Sequence, residues 1–569
     1  MKEFKIHLKL ILYIILFFSI SNVVYSKKID KYYNTNKIFN YFAGVSYLKN
    51  NEYESSYKHL KKMEGLEVEH DSYSKFYLYS LVNSEKINEA YRFSKKLESK
   101  DIERFEDILI IGIYHLKNNR HEKALKYFKK LEKKFPEDDI VSSLISESLK
   151  NWIIFSKSKK GEAIQLLEKM PPKFKNIKKI QSTFIECFFE SNFTEKAFEK
   201  LLFDKETNFS RYSFFYANYL NNKGRSGEAI EVINKSLKDN PRNLILNQLK
   251  TEINNKETFN LSNKFECKNL SHISAEILYI ISNILSSQYS FTLSNFYLSL
   301  AKYLNPNFIS FDALYAENFY MMNKFEKSKI IYKDIIKTGS IYSWYASKEI
   351  SSILLEQKKE KESVDFLKRS YKNIKLPNIN EIYDYARFLK NNDEFYESIK
   401  FYTKVLNLIN KEHYLYPKVT HGRGIAYERT DQWEKAEVDL LNSLSASPDQ
   451  AHVINYLAYS WIEKGINVEE SLEMLKKANE LKKNDGYIVD SLGWALFKLG
   501  RYKEAEEYLR LALILMPSDP VLNDHYGDAL WMQDKKVQAR YYWKYASSSE
   551  EADIKLKKSA KEKSILGLN

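Results

Sequence analysis

Cysteine, glycine and proline are scarce here: 569 residues hold 2 Cys, 15 Gly and 10 Pro. Two cysteines, Cys187 and Cys267, exclude a disulfide framework and a cysteine-built metal site; an exported protein could pair them, but eighty residues apart in a large helical chain the expectation is buried apolar fillers. So little Gly and Pro leaves too few turns for a β-rich fold of this length. No apolar run after the first residues approaches the roughly 18 needed to span a bilayer. What is present favours helix. Hydrophobic residues make up 44% of a chain longer than one core usually serves, which suggests several domains or a repeat array. The 43 Tyr and 34 Phe, beside abundant Lys, Asn and Ile, match the coding bias of an AT-rich genome and carry no function alone.

The first residues are a separate matter. Lys2, Lys5 and Lys9 precede an apolar run from Leu10 to Ile20 and a polar stretch ending VVYSKK, the layout of a secretory signal peptide over residues 1–26 with cleavage before Lys27. As helix the run spans only about 16 Å, short of a ~30 Å hydrocarbon core. An exported, periplasmic protein is the expectation, and an inner-membrane anchor at residues 10–25 the alternative. The formal charge of +14 falls to +12 without the leader. It is spread along the chain rather than gathered in a stripe, so no nucleic acid is expected, while acidic partners or anionic headgroups remain open.

A period of about 34 residues organises the rest. In DGYIVDSLGWALFKLGRYKEAEEYLRLALILMP, small residues stand at Gly493, Ala505 and Ala512, and Pro517 closes the unit. Steps of about one period reach Ala458 and then Gly424 before it and Gly527 after it; a second small site follows at Ala436, Ser471 and Ala539. Two antiparallel helices that cross closely need this spacing, with Ala505 set against Gly493 and Gly500 ending the first helix in the left-handed conformation.

These residues resemble the tetratricopeptide repeat. The wider run INYLAYSWIEKG, DGYIVDSLGWALFKLGRYKEA and NDHYGDALWMQDKKVQARYYW is similar to a bacterial, chiefly alphaproteobacterial, group of exported tetratricopeptide-repeat proteins. The resemblance implies an all-α, right-handed superhelical solenoid of antiparallel helix pairs, and no established chemistry. Weaker units continue it at Gly44, Leu78 and Gly112, with Ser56, Ala90 and Ala124 each twelve later and Pro136 at a unit end. Ala163, Ala197 and Ala229 follow. The expected organisation is a degenerate array over 27–250, a linker or irregular joint over 251–272, and a second array over 273–549 with its strongest units at 417–549. A capping helix and tail fill 550–569. Serine replaces alanine at Ser328, Ser363 and Ser398, which blurs the register of the middle units. The basic tail admits peripheral membrane contact as a second reading.

Searches for catalytic patterns return nothing. HEKAL at His121 lacks the second histidine of a zinc protease helix, HGRGIA at His421 lacks a third glycine, and no phosphate loop or GxSxG elbow occurs. The expectation is a binding protein, not an enzyme, with no cofactor and no metal; an enzyme with an unrecognised site is the remaining alternative. In the tetratricopeptide family the inner wall is lined by first-helix positions outside the core. Here these are His421, Glu428, Asn455, Tyr459, Asp490, Trp494, Phe497, Asp524, Asp528 and Trp531. The set is acidic and aromatic, which predicts a protein partner segment carrying Lys or Arg beside an apolar anchor. The expected role is an interaction scaffold or assembly factor of the bacterial envelope, with a membrane-tethered adaptor as the alternative.

Overall fold

The computed structural model describes residues 35–67, 70–135, 140–204, 206–256 and 262–568. The leader expected at 1–26, and Pro136, lie outside them. Every regular element among the described residues is helical, and their only β pairing is an isolated bridge between Asn263 and Phe308. No described helix is long and apolar enough to cross a membrane. The chain divides into two compact units, Met1–Leu367 and Lys368–Asn569.

The first unit opens with helix hairpins: α1 (Thr35–Lys49) with α2 (Tyr53–Lys61), α3 (Asp71–Asn83) with α4 (Ile87–Glu98), and α5 (Phe105–Lys117) with α6 (His121–Lys134). Next come α7 (Ile140–Phe155) with α8 (Lys160–Glu168), α9 (Lys175–Phe188) with α10 (Thr194–Leu202), and α11 (Tyr212–Asn222) with α12 (Ser226–Asp239). A single helix, α13 (Leu244–Asn254), precedes α14 (Leu270–Ser287) with α15 (Phe291–Leu304), α16 (Ile309–Met321) with α17 (Phe325–Ile335), and α18 (Ser340–Glu356) with α19 (Glu360–Lys372). The second unit holds α20 (Ile379–Asn391) with α21 (Phe395–Leu406), α22 (Tyr416–Glu428) with α23 (Trp433–Ala446), and α24 (Ala451–Lys464) with α25 (Val468–Leu481). It ends in α26 (Gly486–Lys498) with α27 (Tyr502–Leu515), α28 (Pro520–Trp531) with α29 (Lys536–Ser548), and the closing α30 (Ile554–Leu566).

The small residues do their work at the hairpin crossings. A Cβ on Gly493 would stand 2.7 Å from Leu509 Cγ, one on Gly527 2.6 Å from Trp543 Nε1, and one on Gly44 2.6 Å from Leu60 Cγ. The side chain that fills each glycine notch is therefore the large residue four positions after the second small one, not Ala505 itself. Ala436, Ala505 and Ala539 are fully buried beside it. Leucine at Ala505 would force those helices apart, so Ala505→Leu is expected to cost about 2–3 kcal/mol, read as a lowered denaturation midpoint.

The serine substitutions have a physical reason. Ser56, Ser294, Ser328 and Ser363 each donate their hydroxyl to the carbonyl twelve residues back, on Gly44, Ser282, Ala316 and Ser351, at 2.7–2.9 Å. Only helices in close contact bring a second-helix hydroxyl to first-helix backbone. Serine at these four positions thus marks the same crossing as alanine; Ser398 and Ser471 are buried at the equivalent place, but their hydroxyls have no hydrogen-bond partner among the described residues.

The turn inside most of the hairpins is equally regular. Gly224, Gly465 and Gly500 take positive φ there, and so do Asn51, Glu85, Asn119, Tyr289, Asn323, Lys358, Asp393, Asp431 and Asp534. A side chain in this region costs energy that glycine avoids. Lys358, exposed at φ 57°, is one such site, and Lys358→Gly is expected to stabilise the protein by about 0.5–1 kcal/mol, visible as a raised Tm.

Of the two readings of 251–272, a linker or an irregular joint, the described residues take the form of an irregular joint. α13 runs to Asn254, and in the stretch from Ser262 to Asn269 the side chains alternate, Asn263 and Phe265 each 2% exposed and anchored in the first unit, Lys264, Glu266 and Lys268 facing solvent. Asn263 donates to Tyr342 Oη at 3.0 Å, and Phe265 O accepts from Asn218 Nδ2 at 2.8 Å. Such polar side chains satisfy an irregular backbone that sits inside rather than outside. The joint turns the chain back, so that α14 and α15 lie across α3, α5 and α7. Phe296 stacks on Tyr79 at 4.6 Å, Lys117 Nζ donates to Leu304 O at 2.9 Å, and Arg211 grips Glu276 with two bonds of 2.8 Å. One continuous core runs from Leu48 to Phe319. Cys187 and Cys267 are not free fillers: they form a disulfide, S–S 1.96 Å, tying the end of α9 to the returning segment.

Candidate functional site

First helices α3, α5 and α7 of the first unit are covered by their own chain. The first helices of the second unit carry all ten wall residues expected from the sequence, and the structure splits them into two groups.

The C-terminal group is used internally. Asp490, 5% exposed, accepts from His525 Nδ1 at 2.9 Å. The Trp494 ring lies between His525, 4.0 Å away and nearly parallel, and Phe497 at 4.8 Å. Trp494 Nε1 donates to Glu463 at 2.6 Å. Burial alone would lower the His525 pKa, but Asp490, Asp524 and Asp528 outweigh it and hold the imidazole above its usual 6.5. A histidine with a raised folded pKa stabilises fully below its unfolded value and less as pH rises through the folded one. The stability gap between the protein and His525→Gln should therefore be widest at pH 5.5 and shrink by pH 9, measured by urea denaturation.

Asp524 and Asp528 meet a lysine that the sequence reading left out. Lys563, on the capping helix α30, donates to Asp524 Oδ2 at 2.7 Å and to Asp528 at 2.8 and 2.9 Å; Trp543 Nε1 adds a bond of 2.8 Å to Asp528. Burial and the neighbouring Asp524 raise the Asp528 pKa against the pull of Lys563. Trp531 is half-buried, faces Trp543 at 5.4 Å, and has Gly567 pressed against its ring. The signal for both missed partners was in the period: His525 and Lys563 each stand 35 residues after the aspartate they pair with. Reversing Asp490 and Asp528 to lysine would act on the fold before any groove.

The remaining group stays open. His421, Glu428, Asn455 and Tyr459 are half-buried on α22 and α24. Burial, with Lys390 and His452 nearby, lowers the His421 pKa to about 4, so the ring is neutral. Glu428 accepts from Tyr456 Oη at 2.8 Å. Asn455 Oδ1 is shielded from solvent and has no hydrogen-bond partner among the described residues. The Tyr459 pKa is raised by burial and by Glu463 and Asp490. Arg387, Lys390 and Arg429, absent from the sequence-based set, add positive charge at the α20 end: burial and the two arginines lower the Lys390 pKa. The open wall is thus neutral to basic, whereas the ten residues together looked acidic.

Comparison with known proteins places this architecture. A family model described as tetratricopeptide repeat matches residues 489–519. The TPR repeat-containing protein PA4667 of Pseudomonas aeruginosa is 30% identical over 143 residues, 24% of this chain and 22% of that protein, so the chain spans under a quarter of this relative's length. Among solved structures, MamA MSR-1 is 20% identical over 30% of this chain and 97% of its own, with a TM-score of 0.26. Pseudomonas aeruginosa pilF is 17% identical over 32% and 87%, with a TM-score of 0.27. Residues 489–519 thus match a tetratricopeptide repeat, and the glycine-notched or serine-bonded crossing of that hairpin recurs elsewhere in the chain.

Proposed function

We propose that this protein is a non-catalytic interaction scaffold or assembly factor of the bacterial envelope, and that it grips a partner segment along the first helices α22 and α24 of its second unit. Tetratricopeptide folds serve protein–protein interaction in general. The observation that carries the site is that His421, Glu428, Asn455 and Tyr459 stay partly exposed on α22 and α24, whereas Asp490, Asp524 and Asp528 are buried and paired within the chain. The half-buried rings of Tyr459 and His421 give that wall the surface that holds an extended segment. Since Asp490, Asp524 and Asp528 are already neutralised within the chain, the partner needs hydrogen-bond donors and an apolar anchor more than a row of cations. Export is supported by the disulfide, because such bonds persist in oxidising compartments, and by the leader layout of residues 1–26.

A photo-crosslinking amino acid at 459 is expected to yield discrete adducts in the native cell, and one at Leu481, exposed on second helix α25, none. Equal adducts from both positions, or loss of neither in Asn455→Leu, would count against the wall. Mass spectrometry of the mature N-terminus separates a cleaved periplasmic protein, starting at Lys27, from a membrane-tethered adaptor.

A further inference from the structure

The first unit opens a cavity of about 660 Å³ among α10, α11 and α12, a volume within the usual range of ligand sites. It originates in a mismatch of helix length. α10 ends after 9 residues whereas α12 continues for 14, and Asp204 with Glu206, Thr207, Asn208, Phe209 and Ser210 lines the end that α10 leaves uncovered. The floor belongs to α11. Ser213 and Tyr216 are 3% and 6% exposed, both line the cavity, and neither hydroxyl has a hydrogen-bond partner among the described residues.

The walls are acidic, and their carboxylates divide into paired and unpaired. Glu195 and Glu228 share Arg225, and Asp204 and Glu206 are met by Lys179 and Lys175. Glu199 on α10 and Glu231 and Asp239 on α12 line the same space without a basic partner among the described residues. Leu202, Leu220 and Val232 supply apolar surface between them. At the rim the Phe203 ring, 60% exposed, already carries a cation: Lys235 Nζ stands 4.1 Å from its centroid. These features exclude an anion, and a purely apolar ligand would leave both floor hydroxyls unpaired.

We infer that this cavity binds the lysine or arginine side chain of a basic segment on a partner protein, its charged head between Glu199 and Glu231 and its donors on Ser213 and Tyr216. The alkyl stem lies on Leu202, Leu220 and Val232. The volume exceeds what one side chain fills, which leaves room for the flanking backbone and sets an exposed ring beside it for an apolar neighbour. The site lies in the first unit, so it stands or falls apart from the wall of α22 and α24.

Fluorescence polarisation with a labelled peptide of alternating lysine and leucine, titrated with the full oxidised chain, tests the assignment. Saturable binding is expected, weakened about tenfold or more in Glu199→Gln/Glu231→Gln and several-fold in Tyr216→Phe, with helical circular dichroism unchanged. The exposed pair Glu470→Gln/Glu480→Gln in the second unit should bind as the parent does. Equal weakening in both glutamate pairs, no weakening in either, or equal binding of a norleucine-for-lysine peptide would overturn the site. Displacement by spermidine at the peptide's own half-saturating concentration would overturn the partner segment in favour of a free polyamine.

Discussion

Replacing both Cys187 and Cys267 by alanine is expected to lower the stability of the first unit by about 4 kcal/mol. The bond closes a loop with a sequence separation of 80, and a cross-link of that span removes a large share of the unfolded chain's freedom. It also fixes the joint. Cys267 sits two residues after Phe265, whose ring packs among Phe184 and Phe215, and just before α14, which lies across α5 and α7. Guanidinium denaturation of the oxidised protein, the reduced protein and the double variant should show the first unit's transition shifted alike in the last two. Hydrogen exchange should quicken first in α14 and α15. A midpoint unmoved by reduction would mean that burial of the returning hairpin holds without the staple.

How much of this was legible in the sequence depends on the range of the interaction. Crossings set by residues twelve or sixteen apart could be read directly, because one hairpin contains both partners; Gly493 with Leu509 and Ser328 with Ala316 are of this kind. Contacts one period apart, such as His525 with Asp490 and Lys563 with Asp528, were also readable, but only by assigning wall residues to facing pairs and not to solvent. The return of α14 and α15 was not. It joins Phe296 to Tyr79 and Tyr315 to Asn83 across hundreds of residues, and nothing in a local period signals that an array will fold back on itself. The same return explains the two cysteines, whose distance in sequence hides the closeness of α9 to the segment before α14. The boundary expected near residues 251–272 and the observed division at Leu367 differ for this reason too: a polar, irregular segment resembles a linker until its side chains are seen to satisfy buried backbone.

Lys563→Met should be the most damaging single change in the second unit, at about 3–5 kcal/mol. The lysine is the only cation touching Asp524 and Asp528 among the described residues, and all three side chains are largely buried, 17%, 9% and 4% exposed. Removing it leaves two adjacent carboxylates facing each other with Trp543 Nε1 as the one strong donor. The pH dependence gives the sign. An aspartate whose folded pKa is raised binds more protons folded than unfolded, so it withdraws stability as pH rises above the usual carboxylate range. Asp528 is already raised by burial and Asp524, and without Lys563 it rises further. The deficit of Lys563→Met should therefore be largest at pH 8 and shrink toward pH 4.5. Adding Asp528→Asn should recover more of it at pH 8 than at pH 4.5, because a raised pKa moves the carboxyl toward its neutral form as the pH falls. A deficit independent of pH would mean that α30 caps the unit through packing, with Gly567 against Trp531 and Ala560 in the core, and that the ion pair only decorates it.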